Sequence, residues 1–181
     1  MTRIATMLAT AFSSITLGTS IFAQPTKTLI WNASASAPIG LYLIQRADDL
    51  DVTDLVAVAA PPLIAELLSN RGYLPMGVPM MKRILALPGE TVCRHGLDII
   101  AYGSTIGHAR ERDGAGRKMP IWQGCRRIRD DELFLMNFDV PDSVDGRYFG
   151  PFPRASVIGR ALPVWTDAAG DGRFQWRAAT R

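Results

Sequence analysis

The sequence predicts a mainly β domain with one short internal helix, preceded by a hydrophobic N-terminal helix. Three observations predict it. Most apolar runs are short and bounded by Pro, Gly or Asp, which is the pattern of strands and turns. Beyond the N-terminus only Leu63–Arg71 places apolar residues at helical spacing, and it stops at Gly72. Finally, nothing charged occurs between Ile4 and Thr26, about the length of the roughly 20 residues that cross a hydrocarbon core as a helix. At 181 residues, 48% hydrophobic and 20% charged, the chain is long enough for one domain with a sizeable core and an appended segment.

The elements follow in order. Ile4–Ala23 is diluted by Thr, Ser and Gly. It reads either as a cleaved export signal, with small Ala23 before Gln24, or as an uncleaved anchor, which we favour slightly because Ile21 is large for a cleavage site. Residues 1–26 are thus a signal or anchor. Either reading sends residues 27–181 across the inner membrane into the periplasm. Leu29–Trp31 and Gly40–Ile44 read as strands, Asp48–Asp54 as a polar turn, and Leu55–Ala60 as a strand closed by Pro61–Pro62. Met80–Leu87, ended by Pro88–Gly89, is the clearest strand. Gly103–Lys118 reads as a solvated loop, Glu132–Asn137 and Ser156–Trp165 as strands, and the chain from Thr166 as a frayed or partly ordered tail.

The net charge of +3 comes with 17 scattered arginines and three lysines, Lys27, Lys82 and Lys118. A nucleic-acid binder would cluster its cations with stacking aromatics, so no nucleic-acid partner is expected. Cys93 and Cys125 lie 32 positions apart and fit neither a zinc pattern nor a CxxC motif. No metal or cofactor is expected. In an oxidising compartment the two cysteines have one pairing, and closing that loop would stabilise the fold by roughly 3 kcal/mol; the alternative is two buried thiols.

Chemistry enters at Asn32–Tyr42, NASASAPIGLY. Pro38 biases Ala37 towards extended backbone and Gly40 permits close backbone approach, which leaves Ser36 on a stiff turn. Ser-x-Pro alone is a common loop sequence. A serine nucleophile needs a base, and nothing recommends His95 or His108, which read as surface residues. Lys82 is different. Period-two alternation puts it on one strand face with Met80, Ile84 and Ala86. Loss of hydration there lowers an amine's pKa and leaves it able to accept a proton, whereas arginine stays protonated. The competing reading is a surface lysine on an edge strand.

Taken in order, SASAPIGLY, RGYLPMGVPMMKRILALPGE and DSVDGRYFGPF resemble the boxes of the type I signal peptidases (peptidase family S26), in particular their TraF-like branch from conjugative transfer systems. MPIWQGC and GRALPVW also look TraF-like, so the resemblance spans residues 29–165. It implies the β fold shared by signal peptidases and LexA. Ser36 matches the nucleophile and Lys82 the general base. Ser143, Asp145 and Arg147 match the later box, whose acidic residue helps order the lysine. Ser34 matches an oxyanion donor, with the Ser36 N–H as the other. Glu90 stands for the usual Asp and Gly146 for the usual Ser.

The resemblance implies a Ser–Lys endopeptidase that removes leaders from exported precursors, a conjugative pilin above all, and in some relatives joins the pilin ends. The rivals are a housekeeping signal peptidase, a LexA-like self-cleaving repressor, and a catalytically silent assembly factor of a transfer apparatus.

Overall fold

The short apolar runs pair with one another because each exposes a row of backbone groups that a neighbouring strand can satisfy. The computed structural model describes residues 3–22, 29–46 and 49–178. Twelve antiparallel strands result, named here in chain order: β1 (Leu29–Asn32), β2 (Ile39–Gln45), β3 (Leu55–Val58), β4 (Met80–Ala86), β5 (Thr91–His95), β6 (Asp98–Ala101), β7 (Ser104–His108), β8 (Gly124–Arg127), β9 (Glu132–Leu135), β10 (Phe152–Pro153), β11 (Val157–Asp167) and β12 (Gln175–Trp176). The helices are α1 (Arg3–Phe22), α2 (Pro62–Asn70) and α3 (Gly146–Phe149). The larger sheet runs β1-β2-β11-β3-β4-β9-β10, with β12 also on β11; the smaller runs β7-β6-β5-β8. The protein is mainly β, as its sequence predicts.

β4 is the spine of the larger sheet. Every residue from Met80 to Ala86 is buried. Met80 and Ile84 enter an apolar cluster with Val56, Val58, Leu133 and Phe152. Strict alternation fails at one place: the register with β9 shifts between Ile84 and Ala86. Such an irregularity turns the following side chain over. Ala86 therefore joins Leu85, Val92 and Phe134 in a second cluster instead of sharing a face with Lys82. β2 meets β11 closely, because a Cβ on Gly40 would lie 2.2 Å from the Trp165 carbonyl oxygen. Only glycine fits there.

One expectation is corrected. The segment Gly103–Lys118 is not simply a solvated loop, since Ser104–His108 forms β7. Tyr102 (φ +54°) and Gly103 (φ +74°) make the left-handed turn that suits a tight hairpin. The rest of the segment is ordered by Asp113, whose carboxylate accepts from the Ala115 and Arg117 main chain and from the Tyr73 hydroxyl. Of the two expectations for the chain from Thr166, frayed or partly ordered, the second holds. β11 continues to Asp167, whose carboxylate accepts from the N–H groups of Gly170, Asp171 and Gly172 and turns the chain back into β12. Phe174 then packs between Trp31 and Trp165, with ring centroids 5.9 and 4.8 Å away.

α1 is helical over 20 residues, yet four Thr, three Ser and one Gly dilute it. Among the described residues no helix is long and apolar enough to cross a membrane. The expected cleavage site at Ala23, the boundary at residue 26 and Lys27 lie outside the described residues, as does Asp48 of the predicted turn.

Cys93 of β5 stands directly opposite Cys125 of β8, and the two are joined by a disulfide. His95 and His108 are exposed, and the His108 ring lies 2.7 Å from the Asp98 carboxylate.

Candidate active site

The serine turn links β1 to β2 and is held from within by Asn32. Its side-chain amide donates to the carbonyls of Ser34 (2.9 Å), Ala37 (3.1 Å) and Pro38 (3.0 Å), and its oxygen accepts from the Ser34 N–H. The Tyr42 hydroxyl adds a bond to the Pro38 carbonyl at 2.7 Å. One buried asparagine thus satisfies most of the turn's main chain and fixes where Ser36 points. Ser36 and Ser34 are half-buried, and their hydroxyls lie 2.9 Å apart. The Ser36 N–H donates to the Ser34 hydroxyl oxygen at 3.3 Å. The two groups expected to receive an oxyanion are therefore neighbours, with the Ser36 N–H aimed at the Ser34 hydroxyl oxygen.

Lys82 lies across from this turn in β4, opposite Val56 of β3, and only 4% exposed. Burial pushes its amine down to about 8, with the Asp145 charge opposing that shift and the Arg147 charge adding to it. Its Nζ donates to the Ser143 hydroxyl at 2.7 Å. Ser36 and Lys82 line the same cleft, about 670 Å³ in volume, whose walls include Ile30, Leu68, Leu74, Val78, Met80 and Val144. The Ser36 hydroxyl contacts Ser34 and the Lys82 amine contacts Ser143, so the pair shares the cleft without a direct hydrogen bond.

Ser143, Asp145 and Arg147 come from one loop that closes on itself. Asp145 is fully buried; one oxygen accepts from the Arg147 N–H and Nε, the other from Arg147 Nη2 and the Asn137 N–H. The buried Arg147 guanidinium also donates to the carbonyls of Asn137, Val140 and Pro141. Asp145 therefore holds the loop, and Ser143 is the member that touches Lys82. Gly146 has a steric reason: a Cβ there would sit 2.7 Å from the Leu135 carbonyl oxygen and 2.9 Å from the Phe134 ring. A serine could not be accommodated without displacing the strand.

Asp145→Asn should lower stability by about 3 kcal/mol, because it leaves the Arg147 charge buried without its countercharge. It should also slow any reaction that depends on Ser143 and Lys82. Urea unfolding checks the first effect; a variant within about 0.5 kcal/mol of wild type would remove Asp145 from the buried ion pair.

Sequence reasoning missed two residues, Asn32 and Asn137. Asn137 Nδ2 donates to the carbonyls of both Ser36 and Met81, and its Oδ1 accepts from the Arg83 N–H. Asn32 stood next to the serine turn, and an asparagine opening a turn is itself a signal. Asn137 carried none, because the partners of its side chain lie 54 or more positions away.

A closed loop with an internal ion pair, a buried lysine and a serine turn in one apolar cleft, all on antiparallel sheet, are the parts that the three sequence boxes would assemble. The family model described as "Signal peptidase, peptidase S26" matches residues 1–166. The chain belongs to this family. It is 33% identical to the "Probable conjugal transfer protein TraF" of Sinorhizobium fredii (strain NBRC 101917 / NGR234), over 76% of this chain and 77% of that one. It is 31% identical to an Escherichia coli "Plasmid transfer protein TraF", over 75% and 81% of the two chains. A solved signal peptidase I from Enterococcus faecalis V583 is 20% identical, covering 64% of this chain and 98% of that one with a TM-score of 0.37.

Proposed function

We propose that this chain is a Ser–Lys endopeptidase of conjugative transfer that removes leader peptides from exported precursors, with a pilin as its principal substrate. The observation that carries the reading is Lys82: a buried amine at about 8, in one cleft with a serine on a rigid turn. Its family and the conjugal transfer proteins it is similar to point the same way.

In this reading the Ser36 hydroxyl attacks the carbonyl before the scissile bond and passes its proton to neutral Lys82. The Ser36 N–H exchanges its bond to the Ser34 hydroxyl for one to the oxyanion, and the Ser34 hydroxyl donates to it as well. Ser143 orients the amine by engaging one of its hydrogens. The Lys82 ammonium then protonates the leaving amine, which becomes the new pilin N-terminus, and water hydrolyses the acyl-enzyme to free the leader. Joining the pilin ends would need a second acyl-enzyme, formed by cutting near the pilin's C-terminus, which the pilin's N-terminal amine then attacks. The apolar walls take small side chains before the scissile bond. The enzyme works at the periplasmic side of the inner membrane, where such precursors emerge.

Mass spectrometry of a co-expressed pilin precursor tests this. Wild type should yield the shortened pilin, lighter by its C-terminal residues and a further water if its ends are joined, and Ser36→Ala should leave the precursor whole. Precursor left intact by the wild type, or cleaved equally by Ser36→Ala, would sink the proposal.

A further inference from the structure

Ser36, on the turn between β1 and β2, and Lys82, in β4, come from separated parts of the larger sheet: β1 and β2 lie at one edge, and β11 and β3 separate them from β4. With no direct hydrogen bond between the pair, something else must set their separation. Asn137 is placed to do so. It follows β9, is 3% exposed, and its side-chain amide meets three main-chain groups. Nδ2 donates to the Ser36 carbonyl and, at 3.0 Å, to the Met81 carbonyl; Oδ1 accepts from the Arg83 N–H at 2.8 Å. Met81 and Arg83 flank Lys82, so one amide grips the lysine's main chain on both sides and the serine's own carbonyl as well. Among the described residues no other side chain is hydrogen-bonded to both segments.

Asn137 is itself anchored. Its N–H donates to Asp145 Oδ2 at 3.1 Å and its carbonyl accepts from Arg147 Nη2 at 2.9 Å. The serine turn, the lysine strand and the loop that presents Ser143 therefore meet at this one residue. We infer that Asn137 is the positioning residue that sets the Ser36–Lys82 geometry, acting through main chain and touching neither reacting atom. An asparagine suits the task because a short, planar group must both donate and accept. Aspartate would lack the donors, and leucine would leave three buried main-chain groups without partners.

The inference rests on the Ser–Lys reading, and its test separates the two. Cleavage of the pilin precursor is measured as kcat and KM for wild type, Asn137→Ala, Asn137→Ser, Ser36→Ala and Leu133→Ala. Leu133→Ala is a core truncation outside the cleft. Rates are compared per folded molecule, at a temperature where each variant is native. Misplacement of the pair by about 1 Å should lower kcat of Asn137→Ala roughly a hundredfold at nearly unchanged KM. Asn137→Ser, whose hydroxyl can satisfy only part of the set, should fall between that and wild type.

Leu133→Ala should keep the wild-type kcat. If Asn137→Ala keeps kcat within about threefold of Leu133→Ala while Ser36→Ala is inactive, the positioning role is overturned and the Ser–Lys reading stands. Should Asn137→Ala fail to fold, the same comparison with Asn137→Ser decides. If Ser36→Ala itself still cleaves, both are overturned together.

Discussion

Lys82→Arg is expected to abolish precursor cleavage as completely as Ser36→Ala, a loss on the order of 10²–10⁴-fold or more. Arginine keeps the positive charge and an alkyl stem but cannot give up its proton, so it cannot receive one from Ser36. Lys118→Arg, at an exposed position, should cleave at the wild-type rate. The pH profile carries the same argument. Only the neutral amine is a base, so wild-type activity should fall as pH drops below about 8, the value to which burial pushes Lys82. Appreciable cleavage by the Arg variant would falsify the dyad. A profile flat from about pH 6 to pH 9 would point to a different base.

The second large effect is on stability, and in the opposite direction. A buried lysine held at about 8, against 10.5 when unfolded, opposes folding wherever the unfolded chain binds the proton more readily. That penalty is fully present below about pH 8 and fades as pH rises towards 10.5. Its size is about 3 kcal/mol. Lys82→Met fills a similar volume without a charge and leaves the Ser143 hydroxyl short of one partner, which costs about 1 kcal/mol. The variant should therefore be inactive yet more stable by about 2 kcal/mol at pH 7, with the gain shrinking by pH 10. Urea unfolding at the two pH values measures it. Equal stability at pH 7 would mean that the lysine is not strained by its burial. The strain would be a cost that function imposes on the fold.

Lys82 and the serine turn were legible because their signals are local. A lone lysine in an apolar strand and a proline-stiffened turn are each contained within a dozen residues. The spine strand and α2 were legible for the same reason. The smaller sheet was not, because its strands carry Arg, His, Asp and Gly among short apolar runs, and their partners are other strands of the same kind. The order beyond Thr166 depends on Trp31, far back in the chain. Asp145 and Arg147 came from resemblance as site residues, and their pairing was not legible, since nothing in DSVDGR alone says that a carboxylate and a guanidinium will be buried together. Asn137 escaped because its role is a meeting of three distant segments.

α1 ends at Phe22 and the sheet begins at Leu29. The six residues between them, 23–28, can span at most about 25 Å even when fully stretched. Asn32, which grips the serine turn, is the last residue of the strand that starts at Leu29. Ser36 thus sits on a short leash. Any surface that captures α1 also fixes the height at which Ser36 can operate above it. Under the proposed function, a precursor whose scissile bond lies beyond that reach would escape cleavage while α1 is held, whatever its sequence. Lengthening the leash would alter which bonds are reachable without altering the cleft.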